Sequence, residues 1–267
     1  MRELLLLANV ISCQFYSPFV INNTDALSEV QLNLNQGSIT GLRFDGFDVY
    51  RGVPYAKPPG RFEHAQMIES FSNFDARNFG PSCFQAPGYS FFGYSFDLGI
   101  NFTSWLRDGV ISEDCLTLDI YIPQSQSAKG VLVFIHGGGY YSGDSRSFSG
   151  IEHALSQSNV VVIIQYRLGI FGFFNAFDTN TQKSIGGNYA LSDAALAIGF
   201  IHQNAANLGA DENKIILNGE SAGAGMIMAL LLHDETASQI SGAFVQSGGT
   251  AFNFFTSVTG VYCNDRF

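Results

Sequence analysis

The residue best suited to chemistry in this chain is a serine enclosed by glycines, in the segment Gly219-Glu220-Ser221-Ala222-Gly223. The apolar run 213–218 precedes it and predicts a strand, and the apolar run 224–232 follows it and predicts a buried helix. A tight strand-to-helix turn of this kind strains the serine backbone and exposes its hydroxyl at the positive end of a helix. The predicted chemistry is nucleophilic attack by Ser221 on a carbonyl carbon.

A glycine-rich segment earlier in the chain complements that serine. His136-Gly137-Gly138-Gly139 follows the apolar run 131–135, which predicts another strand. Backbone N–H groups in an HGGG-type loop make half of an oxyanion hole, the donor set that stabilises a tetrahedral intermediate. Both motifs follow strands and occur in the expected order, which predicts a serine hydrolase. The alternative is a pair of ordinary glycine turns in a chain that contains 29 glycines.

The elements that must position these motifs follow from the apolar pattern. The runs 30–34, 38–44 and 49–53 predict an N-terminal antiparallel ribbon, and 63–112 predicts a long, mostly irregular loop. Further on, strands are predicted at 116–122, 130–135, 160–166, 213–218 and 242–246, with helices at 188–208 and 224–232. This alternation predicts an α/β sheet covered on both faces. Ligands of such sheets bind at the carboxyl ends of the strands, where both glycine motifs lie.

Composition and charge narrow the class of protein. The chain is 46% hydrophobic and only 13% charged, which supports a packed core and argues against disorder. The net charge of −10 makes nucleic acid an unsuitable partner, since phosphate binding needs a basic face. An acidic surface either attracts cationic ligands or serves solubility, and we favour solubility. No metal site and no cofactor is predicted.

The N-terminus predicts export. Residues 1–13 contain an apolar run too short to span a bilayer but suited to a signal peptide, the alternative being a buried first strand. Asn22 and Asn101 begin glycosylation sequons, so we expect a protein of the ER lumen or extracellular space without a transmembrane segment. Four cysteines are present, and Cys263 lies four residues from the end of the sequence without an evident partner.

Six motifs in order resemble the type-B carboxylesterase/cholinesterase family of α/β hydrolases, over about residues 30–250. The motifs are Arg51-Gly52-Val53-Pro54-Tyr55-Ala56-Lys57-Pro58-Pro59, Ser112-Glu113-Asp114-Cys115-Leu116, His136-Gly137-Gly138-Gly139-Tyr140-Tyr141-Ser142-Gly143, Tyr166-Arg167-Leu168-Gly169, Gly187-Asn188 and Gly219-Glu220-Ser221-Ala222-Gly223. The resemblance implies an α/β-hydrolase fold, with a mostly parallel central sheet and N-terminal antiparallel strands. Residues 14–267 would form the N-terminal part of such a domain.

The same resemblance implies roles for particular residues. Ser221 is similar to the family's nucleophile, and the substrate would be a small-molecule carboxylic ester. The remaining implied features are an oxyanion hole at Gly138, Gly139 and Ala222, a disulfide between Cys83 and Cys115, and a structural ion pair between Arg61 and Glu113.

Three residues are candidates for the wall of a substrate gorge, each with a plainer alternative. Glu220 precedes the nucleophile and would raise the local negative potential, or it serves the helix dipole. Trp105 stands ten residues before Cys115, the spacing of the choline-stacking tryptophan in cholinesterases, although packing is the favoured role. Tyr141 either faces a ligand or packs.

The triad's histidine and acid are not predicted in this sequence. Only His233 follows Ser221, and twelve residues of helix would place it about 18 Å away, whereas a general base needs about 3 Å. We expect His233 to end the helix that follows Ser221, as a C-terminal cation or polar cap, and we expect little turnover from the 267-residue chain. The sequence is interpreted as a fragment of an active esterase, with a naturally short inactive relative as the alternative. A cholinesterase-like adhesion protein is the second function considered, and the sequence makes no prediction of oligomeric state.

Overall fold

A computed structural model describes residues 26–85, 110–124, 130–147, 158–180 and 183–248. Several predicted features lie outside these residues: the signal peptide at 1–13, the sequons at Asn22 and Asn101, Trp105, and Cys263. They remain predictions. Among the described residues, no helix combines the length and apolarity needed to cross a membrane.

Fifteen strands are present in the described ranges. They are β1 Ser28–Leu34, β2 Gly37–Phe44, β3 Phe47–Pro54, β4 Ala56–Lys57, β5 Gln66–Met67, β6 Phe74–Asp75, β7 Ser82–Cys83, β8 Ile111–Ser112, β9 Thr117–Pro123, β10 Val131–Ile135, β11 Val160–Ile164, β12 Ala176–Asp178, β13 Lys183–Ile185, β14 Ile215–Glu220 and β15 Gly242–Gln246. The predicted strands are confirmed with small shifts at their ends.

The central sheet has the order β1-β2-β3-β9-β11-β10-β14-β15, with β6 pairing on β2. The pairs β1–β2, β2–β3, β3–β9 and β9–β11 are antiparallel, and the pairs β10–β11, β10–β14 and β14–β15 are parallel. The N-terminal antiparallel ribbon is therefore confirmed. The ribbon joins the parallel part of the sheet through β9. Within that parallel part, β10 and β14 are direct neighbours.

Four α-helices lie in the described ranges: α1 Gly169–Phe173, α2 Tyr189–Asn204, α3 Ala222–Leu230 and α4 Asp234–Ala237. The helix predicted at 188–208 corresponds to α2, and its predicted apolar stripe was Leu191, Ala195, Ile198 and Ile201. Three of these residues are at most 2% exposed, whereas Ala195 is only partly buried. Helix α3 begins two residues earlier than predicted, directly after Ser221, and it ends at Leu230. Leu231 and Leu232 lie beyond it and are exposed, because an apolar run alone does not mark where the helix leaves the core.

The core is built on the central strands. Every residue of β11, a continuous run of valine and isoleucine, is fully buried, as expected for a strand covered on both faces. The larger cluster contains the buried faces of α2 and α3, and a smaller cluster on the other side of the sheet includes Phe134, Val161 and Ile163. Helix α3 contacts β10, β14 and β15, which fixes the helix against the strand that leads into it.

Candidate active site

The sheet register brings the two glycine motifs together. Ile135, the last residue of β10, is paired with Gly219 of β14, so the loop after β10 and the turn after β14 leave the sheet side by side. A Cβ placed on Gly137 would lie 3.2 Å from the Cβ of Ser221. Two motifs that are more than 80 residues apart in sequence thus form one constellation at the carboxyl edge of the parallel strands.

Ser221 forms the predicted sharp turn between β14 and α3. Its backbone has φ 53° and ψ −117°, a conformation that a side-chain-bearing residue adopts only under strain. Its N–H donates to the carbonyl of Gln246 at 2.8 Å, and its own carbonyl accepts from Gly225. Gly223 touches the end of β10, where a Cβ would overlap the carbonyl oxygen of Ile135. Ser221 is only partly buried.

His136 orients the first peptide of the glycine loop. Its Nδ1 lies 2.9 Å from the carbonyl oxygen of Gly137, and because a carbonyl only accepts, Nδ1 carries the hydrogen in this contact. All peptides here are trans, so the N–H of Gly138 points away from the Gly137 carbonyl, on the opposite side of the shared peptide. The ring stacks on Tyr166, whose hydroxyl donates to the His136 carbonyl at 2.6 Å. Burial lowers the pKa of His136.

The second peptide of the loop is oriented by the same rule. The carbonyl oxygen of Gly138 accepts three hydrogen bonds, from the Tyr141 N–H at 3.2 Å, the Ser142 N–H at 3.1 Å and the Ser142 hydroxyl at 3.0 Å. The N–H of Gly139 therefore points to the other side of that peptide. Neither the Gly138 nor the Gly139 N–H donates to another described residue. The positive φ angles of 108° and 62° at these two positions are the reason that glycine is needed here.

Ala222 supplies a third backbone N–H near the serine. It is the first residue of α3, and the first N–H groups of a helix have no partner within the helix. Because the helix begins here, the amide also lies at the positive end of the helix dipole. The turn thus places this donor in the residue directly after the candidate nucleophile.

Of the predicted gorge residues, Glu220 and Tyr141 lie at this site and Trp105 is outside the described residues. Glu220 is the last residue of β14, and a Cβ on Gly137 would lie 2.8 Å from its Oε2. Burial raises the pKa of the Glu220 carboxyl. Tyr141 is partly buried and its N–H closes the glycine loop.

No described histidine forms a hydrogen bond with the Ser221 hydroxyl. The His64 ring lies against Tyr189 at 5.1 Å between centroids, His136 is occupied in the loop, and His202 lies on α2. His233 does not cap the C-terminal end of α3, as predicted, but is the N-cap of α4, where its Nδ1 accepts from the Thr236 N–H. The described residues contain no group of three histidine, cysteine or acidic side chains placed to hold a metal ion.

The two supporting contacts implied by the family resemblance are present. Cys83 and Cys115 form a disulfide, and both cysteines are 1% exposed. Arg61 forms an ion pair with Glu113 and lies over the ring of Phe171. Because both charged side chains are more than a third exposed, we assign this pair little stabilisation.

Sequence reasoning missed the polar residues that hold the glycine loop and the helices behind it. Asp144 is 2% exposed and accepts from Arg146 at 2.8 Å and from Ser82 at 2.9 Å. Arg167 and Asp193 form a second buried pair at 2.7 Å, with side chains 5% and 0% exposed. Asp193 carried a usable signal, since it is the only acid in α2 and has apolar residues on its C-terminal side, and such an acid, once buried, requires a partner.

Comparison with known proteins agrees with this geometry. The fold is the α/β-hydrolase fold: the juvenile hormone esterase of Manduca sexta, solved with OTFP covalently attached, superposes with a TM-score of 0.72 at 29% identity, covering 86% of this chain and 43% of that one. The model of the carboxylesterase family matches residues 28–261. The chain belongs to the carboxylesterase family.

Two relatives illustrate the extent of the match. The chain is 34% identical over 230 residues to gut esterase 1 of Caenorhabditis elegans, which covers 83% of this chain and 38% of that protein. It is 36% identical over 211 residues to liver carboxylesterase 1 of Oryctolagus cuniculus, covering 75% and 35% respectively. The chain thus spans less than two fifths of the length of these relatives.

Proposed function

We propose that this chain carries the nucleophile and the oxyanion donors of a serine carboxylic ester hydrolase. The observation that carries the proposal is the 3.2 Å approach of the Gly137 Cβ position to the Ser221 Cβ. It brings a strained, partly exposed serine beside a loop whose carbonyls are turned away. Membership of the carboxylesterase family supports a small-molecule carboxylic ester as the substrate.

The proposed reaction is acyl transfer through a serine ester. The Ser221 Oγ attacks the ester carbonyl carbon and its proton passes to a general base. The resulting tetrahedral intermediate collapses, the bond to the alcohol oxygen breaks, and the base returns the proton to the leaving alcohol. Water then repeats the sequence on the acyl-serine and releases the carboxylic acid.

The intermediate carries a negative oxygen, and the N–H groups of Gly138, Gly139 and Ala222 are the proposed donors to it. The orientation of the Gly138 and Gly139 N–H groups is fixed before substrate arrives, because His136 and Ser142 hold the opposite sides of the loop peptides. Prearranged donors need no reorganisation during the reaction, and the loss of one such donor typically raises the barrier by about 3 kcal/mol.

The general base is the part of the site that the described residues do not provide. His233 is occupied as the N-cap of α4, beyond the end of α3, the His64 ring lies against Tyr189, and His136 is bonded within the glycine loop. We therefore propose that the 267-residue chain by itself turns over esters slowly. The triad's acid and histidine would come from other residues.

Chemical rescue tests the proposal directly. Imidazole added to the 267-residue chain should replace the missing base and accelerate transfer of the acetyl group from p-nitrophenyl acetate to Ser221, detected by peptide mass spectrometry. Ser221→Ala should abolish the adduct at that peptide. Ser247→Ala is the matched control, because Ser247 also has a positive φ and follows the neighbouring strand β15. If imidazole produces no acetyl-Ser221, the hydrolase proposal fails and a non-catalytic binding role is favoured.

We also propose that the protein is secreted. The buried Cys83–Cys115 disulfide supports this, because disulfides persist in oxidising compartments. Expression in a secretory cell line should release the protein into the culture medium, with an N-terminus that lies after residue 13. The mass of the released protein should fall on treatment with a glycosidase. Retention of residues 1–13 in the isolated protein would contradict the proposal.

A further inference from the structure

The loop that begins at Gly137 closes on its own start at Gly143. Gly143 has a φ of 114°, and a Cβ there would lie 2.5 Å from the Nδ1 of His136 and 2.7 Å from the carbonyl oxygen of Gly137. Only a residue without a side chain allows this approach. The position of Gly143 therefore restrains the His136–Gly137 contact, which in turn sets the direction of the Gly138 N–H.

One side chain, Gln85, binds both backbone polar groups of Gly143. Its Oε1 accepts from the Gly143 N–H at 3.0 Å, and its Nε2 donates to the Gly143 carbonyl at 2.9 Å and to the Cys83 carbonyl at 3.1 Å. Gln85 is 6% exposed, so bulk water has little access to these bonds. The amide satisfies one donor and two acceptors at once, which a methionine of similar shape would leave without partners.

The segment that carries Gln85 is itself fixed. Cys83 is tied to Cys115 by the disulfide and belongs to β7, which pairs with β8. Ser82, from the same segment, donates to Asp144, the residue after Gly143. Gly143 and Asp144 of the loop are thus bonded to Gln85 and Ser82 of one anchored segment. These bonds restrict the movement of the loop at Gly143.

We propose that Gln85 is a positioning residue for the oxyanion loop: by holding Gly143 it keeps the N–H groups of Gly138 and Gly139 directed at the carbonyl bound beside Ser221. Gln85 does not touch the substrate. The chemical consequence rests on the proposed function, but the mechanical one, restraint of residues 137–143, does not.

Gln85→Met tests both consequences in the full 267-residue chain. Hydrogen exchange of a peptide covering 137–143, followed by mass spectrometry, should become at least about 10-fold faster, while peptides from β11 keep their protection. With imidazole present, the rate constant for acetylation of Ser221 at saturating ester should fall about 10- to 100-fold, as for a lost or misplaced oxyanion donor. The half-saturating ester concentration should change little, since the donors act on the transition state.

Gln36→Met is the matched control. Gln36 is likewise a buried glutamine, 8% exposed, and accepts from Asn204 away from the glycine loop, so neither readout should change.

If Gln85→Met fails to fold, Gln85→Asn, which keeps the amide but shortens its reach, takes its place. Unchanged exchange at 137–143 overturns the proposal, and so does faster exchange with an unchanged acetylation rate. If the wild type is not acetylated at all, the proposed function fails, and exchange alone then decides the restraint.

Discussion

Replacing Gly223 with alanine tests how tightly the serine turn is packed against the glycine loop's strand. A Cβ at this position would overlap the carbonyl oxygen of Ile135 and lie 2.8 Å from that of His136. Ile135 is paired on both sides, with Ile164 and Gly219, so its carbonyl is unable to swing away as a flexible side chain would. Relief of the overlap requires α3 to move away from β10.

Two effects of opposite sign determine the result of Gly223→Ala. Alanine is favoured over glycine within a helix by about 1 kcal/mol. Overpacking of a core costs about 1–3 kcal/mol, and we take about 3 kcal/mol here because the colliding atoms are backbone. The net loss in the free energy of unfolding is then about 2 kcal/mol, which for a domain of this size lowers Tm by about 4–8 °C. A shift of α3 by about 1 Å would also slow acetylation of Ser221 by about 100-fold.

Thermal unfolding and imidazole-assisted acetylation measure these two effects. Gly242→Ala is the control, because a Cβ on Gly242 would meet nothing closer than an Ile216 side-chain atom at 4.0 Å, and its Tm should stay within about 2 °C of wild type. A Gly223→Ala protein with wild-type Tm and wild-type acetylation would refute the argument, since it would show that α3 does not press on β10 at this point.

Three further changes test the strain, the buried charge and the covalent link. Ser221→Gly should be more stable than Ser221→Ala by about 1 kcal/mol in urea unfolding, because only glycine relieves the positive φ at this turn, and equal stabilities would argue against strain. Asp193→Asn should lower the free energy of unfolding by about 3–5 kcal/mol by leaving Arg167 buried without its counter-charge, whereas Arg167→Met combined with Asp193→Leu should recover most of the loss; a double variant no more stable than Asp193→Asn would contradict this. Replacing Cys83 and Cys115 by alanine should cost about 3–4 kcal/mol, from closure of a loop with a sequence separation of 32, and an unchanged urea midpoint would refute that contribution.

The sheet and the serine turn were predictable because local rules and tertiary demands agree there. β11 is a continuous run of β-branched residues and is buried on both faces, as its composition requires. Glycines at 219 and 223 flank the serine because the backbone of Gly223 lies against Gly219, while the Ile135 carbonyl at the end of β10 lies against Gly223. Hence the identity of the turn and the joining of the two glycine motifs could be inferred before any coordinates.

The end of α3 could not be inferred in the same way. The run 224–232 is apolar throughout, but the helix stops at Leu230, and Leu232 is 87% exposed. Residue type reports a preference for burial, while the end of a helix depends on which neighbours cover it. The next helix then begins with His233 as its N-cap, a change of direction that the apolar pattern conceals.

The supports of the glycine loop were beyond sequence reasoning for a different reason. Gln85 and Gly143 are 58 residues apart, and neither residue type predicts the contact between them. Asp144 and Arg146 are close in sequence, but their burial depends on Ser82 and on the ring of Phe79, which lies 5.0 Å from the Arg146 guanidinium. Such contacts follow from the path of the chain between elements, for which hydrophobic periodicity carries no information.

The position of the serine relative to the glycine loop and the internal arrangement of that loop are therefore encoded in different ways. The relative position of Ser221 and the loop N–H groups depends on one strand pair, β10 with β14, and is therefore encoded by two short motifs and a fixed register. The internal arrangement of the glycine loop depends on side chains from segments distant in sequence. The pairing of β10 with β14 does not position these segments. We therefore expect substitutions along β10 and β14 to affect folding and acylation together, whereas substitutions at Gln85 separate them, lowering the acylation rate of a chain that still folds.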